Sequence, residues 1–170
     1  MYNCPMTEIP LEILVGELLR EHGLRLAVAE SCTGGLIGHR LTNVPGSSTY
    51  YMGSVTAYAY EAKVRILGVT WETLEKHGAV SRATVLEMAR GVRRALAADV
   101  GLAVSGIAGP GGGTPEKPVG LTWVGLSTPQ IQIAQDFYWH GDRLENKVAS
   151  AEAALRLLAD HLQGHLGEAE

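Results

Sequence analysis

The stretch Ala29-Glu30-Ser31-Cys32-Thr33-Gly34-Gly35 sets a hydroxyl and a thiol where a short apolar run, Leu24 to Glu30, gives way to glycines. Such a run reads as a buried strand, and a helix is expected to open at Ser31–Thr33 and to end near Leu41. A hydroxyl at that junction faces the unpaired N–H groups and the positive dipole end of the following helix. Ser31 is then a candidate nucleophile. The N–H groups from Cys32 through Thr33, Gly34 and Gly35 are candidate oxyanion donors, a kind of group whose loss slows catalysis by roughly 10²–10³-fold. Cys32 is a rival nucleophile, because a thiol at a helix N-terminus can have a lowered pKa. The heptapeptide also reads as an ordinary N-cap serine beside a packed cysteine, with glycines for close approach.

Three further clusters could serve such a site. In Tyr58-Ala59-Tyr60-Glu61-Ala62-Lys63, just after a strand candidate at Met52 to Tyr58, Lys63 can act as base toward a serine if burial depresses its pKa. Tyr58 can orient that pair; a solvated lysine at a helix start is the plainer alternative. Further on, Ser105 and Gly106 lead into a loop with Gly109, Gly111, Gly112 and Gly113. Glycines so spaced let backbone N–H groups approach a phosphate, and a flexible connection explains them equally. No Gly-Lys-Ser/Thr follows, so this is not a Walker A loop; it leads into prolines and a strand, so it is not a dinucleotide fingerprint. Last, His140-Gly141-Asp142-Arg143 offers Asp142 as a helix N-cap and Arg143 as a bidentate phosphate clamp. The histidines show no metal-ligand spacing with a carboxylate, so neither metal nor cofactor is expected.

These residues need a scaffold, and the apolar periodicity supplies one. Helices are expected at Leu11 to His22 (stopped by Gly23), Glu61–Leu67, Glu72–His77 and after Ser81, with Val85, Met88, Ala89, Val92 and Leu96 on one face. Val100 to Ile107 reads as a buried strand, and Val119–Leu126 with Gln132–Trp139 as an antiparallel pair. A last helix aligns Leu144, Val148, Ala151, Leu155, Leu158 and Leu162 on one stripe. Helices alternating with strands, plus one hairpin, predict an α/β fold: a three-layer α/β/α sandwich on a mixed, mostly parallel sheet.

Composition sets the bounds. The chain has 170 residues, 46% hydrophobic and 19% charged. That suits a single domain, 1–170, with a core needing no disulfides; residues 1–8 and 163–170 are expected to fray. A net charge of −4 argues against direct nucleic-acid binding. No apolar run could span a bilayer, and no secretory signal is seen. Two cysteines make no disulfide framework, so a reduced, cytoplasmic setting is expected.

Taken in order, the motifs resemble one family, the carboxy-terminal domain of the CinA proteins, the nicotinamide-nucleotide amidohydrolases of PncC type. The matching stretches are AESCTGGLIG at Ala29–Gly38, VPGSS at Val44–Ser48, the Tyr58–Lys63 spacing and LGV at Leu67–Val69. They continue with GAVS at Gly78–Ser81, SGIAGPGGGTPEKPVG at Ser105–Gly120 and HGDR at His140–Arg143.

The resemblance implies a metal-independent serine amidohydrolase that converts nicotinamide mononucleotide (NMN) to nicotinic acid mononucleotide and ammonia, in pyridine-nucleotide recycling. Carried across, Ser31 attacks, Lys63 is base and then acid, and Tyr58 orients the pair. Ser105, Gly106, the Gly109–Gly113 loop and Arg143 hold ribose and phosphate. A homo-oligomer is implied, and no N-terminal pyrophosphatase-like domain is expected within this length. Ser105 stands where the family usually has threonine, Ala59 and Tyr60 replace a small polar pair, and Lys147 stands where a second arginine often lies. The rival readings are a non-catalytic nucleotide- or partner-binding module linked to competence or DNA-damage responses, and a serine amidase for another small amide.

Overall fold

A computed structural model describes residues 9–166. Helix α1 (Leu11–His22) buries Leu11, Val15 and Leu19, spaced one turn apart, and ends at Gly23, whose φ of 64° only glycine adopts cheaply. Strand β1 (Leu26–Glu30) is buried throughout, as a strand must be when covered on both faces. It is followed by α2 (Leu36–Thr42), a turn of 3-10 helix (Ser47–Thr49), β2 (Tyr51–Thr56), α3 (Tyr60–Leu67) and α4 (Trp71–His77). Helix α5 (Arg82–Ala95) starts at Ser81, whose hydroxyl accepts from the Thr84 N–H. Strands β3 (Val100–Gly106), β4 (Leu121–Ser127) and β5 (Gln132–Tyr138) lead to α6 (Arg143–Leu162).

The five strands lie in the order β2-β1-β3-β4-β5. Pairing is parallel from β2 through β1 to β3 and antiparallel from β3 through β4 to β5, so only β4 runs against the rest. Alternation along the strands divides the core in two. Leu26, Val28, Val100, Leu102 and Val104 face α1, α2 and α6. Ala27, Ala29 and Ala103 face the opposite layer, with Leu67, Leu74, Met88 and Val92 from α3, α4 and α5. This is a three-layer α/β/α sandwich on a mixed sheet. Among the described residues no helix is long and apolar enough to cross a membrane.

Three local expectations need correction. No helix opens at Ser31–Thr33: residues 31–35 form a turn, and α2 begins at Leu36. Tyr58 lies beyond β2, which stops at Thr56. Leu144 and Val148 are not core but 69% and 56% exposed. There the inward side of α6 is polar. Buried Asn146 donates to the Ala108 carbonyl and accepts from the Gly141 N–H, while buried Ser150 bonds Thr122 and Trp139. At the other end of α6, residues 163–166 close the helix as a turn, with Leu166 against the core; residues 1–8 and 167–170 lie outside the described residues.

Candidate active site

The end of β1 is organised by a residue to which the sequence reading gave no role. Glu30 is fully buried. Its carboxylate accepts from the Thr33 hydroxyl at 2.6 Å and from the N–H groups of Gly35, Ile37 and Gly38 at 3.1, 3.1 and 2.9 Å. The start of α2 is thus capped from behind by an anion, the favoured charge at a helix N-terminus. The chain must fold back for this, and Gly34 and Gly35 do so with φ of 62° and 103°. Helical N–H groups are therefore not aimed at Ser31. Gly34 donates to the Ser31 carbonyl and Gly35 to Glu30. Among the described residues, no acceptor takes the N–H of Cys32 or Thr33. An acidic residue closing an apolar strand is the sequence signal by which it could have been found.

Ser31 continues the line of β1, its N–H donating to Val104 of β3 at 3.1 Å. Lys63, from the first half of α3, reaches it with Nζ 2.9 Å from Oγ. The lysine is fully buried. Its Nζ also donates to the carbonyls of Ala57 and Tyr58, at 2.8 and 3.0 Å. Among the described residues no carboxylate pairs with it. Burial without a counter-charge penalises the ammonium form, and the Lys63 pKa falls from 10.5 to about 8. Two carbonyls fix two of the N–H bonds, so the remaining tetrahedral position of Nζ faces Ser31. Below about pH 8 that position holds a proton; above it, a lone pair able to take the serine proton.

The Tyr58 side chain does not orient this pair. It is 62% exposed, and its hydroxyl accepts from Arg143 Nη2 at 3.2 Å. What holds Lys63 is the Tyr58 main-chain carbonyl. Arg143 also donates from Nη1 to the Gly109 carbonyl at 2.6 Å, so it bridges the glycine-rich loop and the residue beside Lys63. A cleft of about 530 Å³, walled by Ala108, Pro110, Val119, Asp142, Arg143 and Leu144, opens there. Ser31 and Lys63 are not on its walls. The second cation of α6, Lys147, lies on the Ser31 side: its Nζ would be 3.8 Å from a Cβ built on Gly34.

Within the loop the glycines differ. Gly109 has φ 87°, and a Cβ there would lie 2.6 Å from Val119; Gly113 is equally crowded by Val119 and Pro118. Gly112 has positive φ, whereas Gly111 borders open space. Gly106 is hemmed in by Thr122 and the Cys32 sulfur, at 2.5 and 3.1 Å from its would-be Cβ. Cys32 itself belongs to the core facing α6, and burial pushes its thiol up to about 11. A thiol so placed is a packing residue. Ser105 stands inside β3, away from the Arg143 cleft.

This arrangement has relatives. The family profile described as CinA C-terminal domain matches residues 8–162. The chain belongs to that family. Among CinA relatives, the CinA-like protein of Chlorobaculum tepidum is 50% identical over 163 residues, covering 92% of this chain and 38% of the relative. That of Salinibacter ruber is 51% identical over 148 residues, covering 87% and 36%. The chain thus spans under two fifths of the length of these curated CinA relatives. Solved CinA structures cover it more evenly. The competence/damage inducible protein CihA from Agrobacterium tumefaciens superposes with a TM-score of 0.84 at 39% identity, over 93% of this chain and 99% of that one. A CinA superfamily protein from Klebsiella pneumoniae gives 0.87 at 34% identity, over 91% and 96%.

Proposed function

We propose that this CinA-family chain is a serine amidohydrolase that releases ammonia from the carboxamide of NMN. The observation that carries the reading is the buried Lys63 amine, uncompensated by any carboxylate, 2.9 Å from the Ser31 hydroxyl. An amide is a weak electrophile with a poor leaving group, so it needs an activated nucleophile, an oxyanion site and a proton donor. Neutral Lys63 takes the Ser31 proton as Oγ bonds to the carbonyl carbon. The oxygen, now an anion, is met by the free N–H groups of Cys32 and Thr33. The tetrahedral adduct collapses as the C–N bond breaks and Lys63 returns its proton to the nitrogen, which leaves as ammonia. Water then attacks the ester by the same route, its proton passing through Lys63 back to Ser31, and the nicotinate is freed.

A mononucleotide suits the charge at the cleft. Arg143 lies beside the glycine-rich loop, where a phosphate would replace the Gly109 carbonyl and the Tyr58 hydroxyl as its partner, and Lys147, one helical turn on, adds a second cation near Gly34. That anchor holds the carboxamide against Ser31. The test is ammonia release from NMN, with a chelator present, by the wild type and by Ser31→Ala. Release by the wild type at least roughly 10³-fold above the variant is expected. Equal release by both, or none by either, refutes the reading.

A further inference from the structure

We propose that the Ser105 hydroxyl is a further catalytic group, a hydrogen-bond donor to the carbonyl oxygen of the carboxamide under attack. This rests on the amidohydrolase reading above and gives Ser105 a place at the reacting carbon, apart from the ribose and phosphate. The argument is one of register. β1 and β3 pair in parallel with Glu30 opposite Val104, and the Ser31 N–H to Val104 bond extends the ladder by one residue. The next pair is Ser31 and Ser105, about 4.8 Å apart as neighbours in a sheet. Two residues earlier on each strand, Ala29 and Ala103 both face the layer of α3, α4 and α5, so Ser105 faces the layer from which Lys63 reaches Ser31.

The strand order decides the sides. Lys63 is held by carbonyls just after β2, and β2 and β3 flank β1 on opposite edges. Ser31 therefore has its base on one side and the Ser105 hydroxyl on the other. A carbonyl carbon bound to Ser31 Oγ brings its oxygen within one strand spacing of Ser105. Trp123, opposite Ser105 on β4, walls the far side.

The hydroxyl is also unspent. Ser105 is 1% exposed; among the described residues its Oγ makes no hydrogen bond to another residue, and it is not one of the fully enclosed polar atoms left without a partner, which are Tyr50 Oη, Arg93 Nε and Ser127 Oγ. The hydroxyls nearby are paired: Thr33 with Glu30, Thr122 with Ser150, and Ser150 with the Asn146 carbonyl. The incoming carbonyl oxygen gives this hydroxyl an acceptor. Ser105 keeps its proton throughout; it donates a hydrogen bond that strengthens as the oxygen gains charge.

The experiment is steady-state ammonia release from NMN by the wild type, Ser105→Ala, Ser105→Cys and Ser105→Thr, with thermal unfolding of each. Ser105→Ala is expected to lose roughly 10²-fold in kcat, with KM within about threefold. Ser105→Cys, a similar shape with a weak donor, should lose nearly as much, and Ser105→Thr should recover most of it. A rise in KM with kcat intact would overturn the proposal, since the hydroxyl would then bind the ribose or phosphate. Unchanged kcat in the alanine or cysteine variant would overturn it too. A wild type that releases no ammonia refutes the amidohydrolase reading itself, a failure distinct from an active enzyme indifferent to position 105.

Discussion

Burying Lys63 without a counter-charge has a consequence that can be measured as stability and as rate. Its pKa falls from 10.5 to about 8 in the folded chain, while the unfolded chain keeps the ordinary lysine value. Between those two pH values the unfolded state holds a proton that the folded state has released. Stability then rises with pH, by about 1.4 kcal/mol per pH unit. Below about pH 8 both states are protonated and this slope vanishes, with the full penalty in force, roughly 3 kcal/mol. The perturbation is Lys63→Met, which fills similar space and cannot titrate. Urea unfolding of both proteins from about pH 7 to about pH 9.5 gives the difference at each pH, cancelling every other titration. From about pH 8 to 9.5 the wild type should gain roughly 2 kcal/mol on the variant, a melting difference that moves by about 4–8 °C in a domain of this size. The same titration should appear in catalysis. With NMN, kcat/KM should climb about tenfold per pH unit below pH 8 and level off above it. Stability curves that stay parallel across this range would refute the reasoning, because Lys63 would then be titrating as an ordinary solvated lysine.

Arg143 and Glu30 test the two ends of the site. Arg143→Met removes the guanidinium beside Gly109 and Tyr58; KM for NMN should rise on the order of 10–100-fold, while the dephosphorylated riboside is processed as before. Steady-state kinetics on both substrates checks this, and equal losses on the two would remove Arg143 from phosphate binding. Glu30→Ala strips the acceptor from three N–H groups and the Thr33 hydroxyl at once. It should cost roughly 3–5 kcal/mol in urea unfolding, at about 1–3 kcal/mol for each orphaned buried group with partial rescue by water. A loss below about 1 kcal/mol would show that α2 does not depend on this cap.

How the site is assembled explains which parts could be read in advance. Ser31 and Lys63 stood out because their neighbours carry local signals: an apolar run ending in Ser-Cys-Thr-Gly-Gly, and a lysine in the first half of a helix that follows a strand. Tyr58 was assigned through its side chain, yet it acts on Lys63 through its carbonyl. Every residue has a carbonyl, so no residue type reveals such a role. Leu144 and Val148 fit the apolar stripe of α6, but periodicity does not say that the inward side of its first turns is taken by Asn146 and Ser150 instead. Glu30 is the opposite case: it was read only as the end of an apolar strand, yet its buried carboxylate holds the turn.

The sequence by itself determined the alternation of helices and strands, the antiparallel hairpin, the α5 and α6 caps and the motifs that match the CinA family. These are local properties, set by periodicity, capping chemistry and glycine. Tertiary structure alone decided which side chains meet. Strand order put β2 and β3 on either side of β1, and so placed Lys63 and Ser105 on either side of Ser31. Packing removed water from Lys63 and so lowered its pKa, and left the N–H groups of Cys32 and Thr33 as the free donors of the turn. Distances across a sheet and the loss of solvent arise only when segments far apart in the chain are brought together, which is why no stretch of sequence announces them.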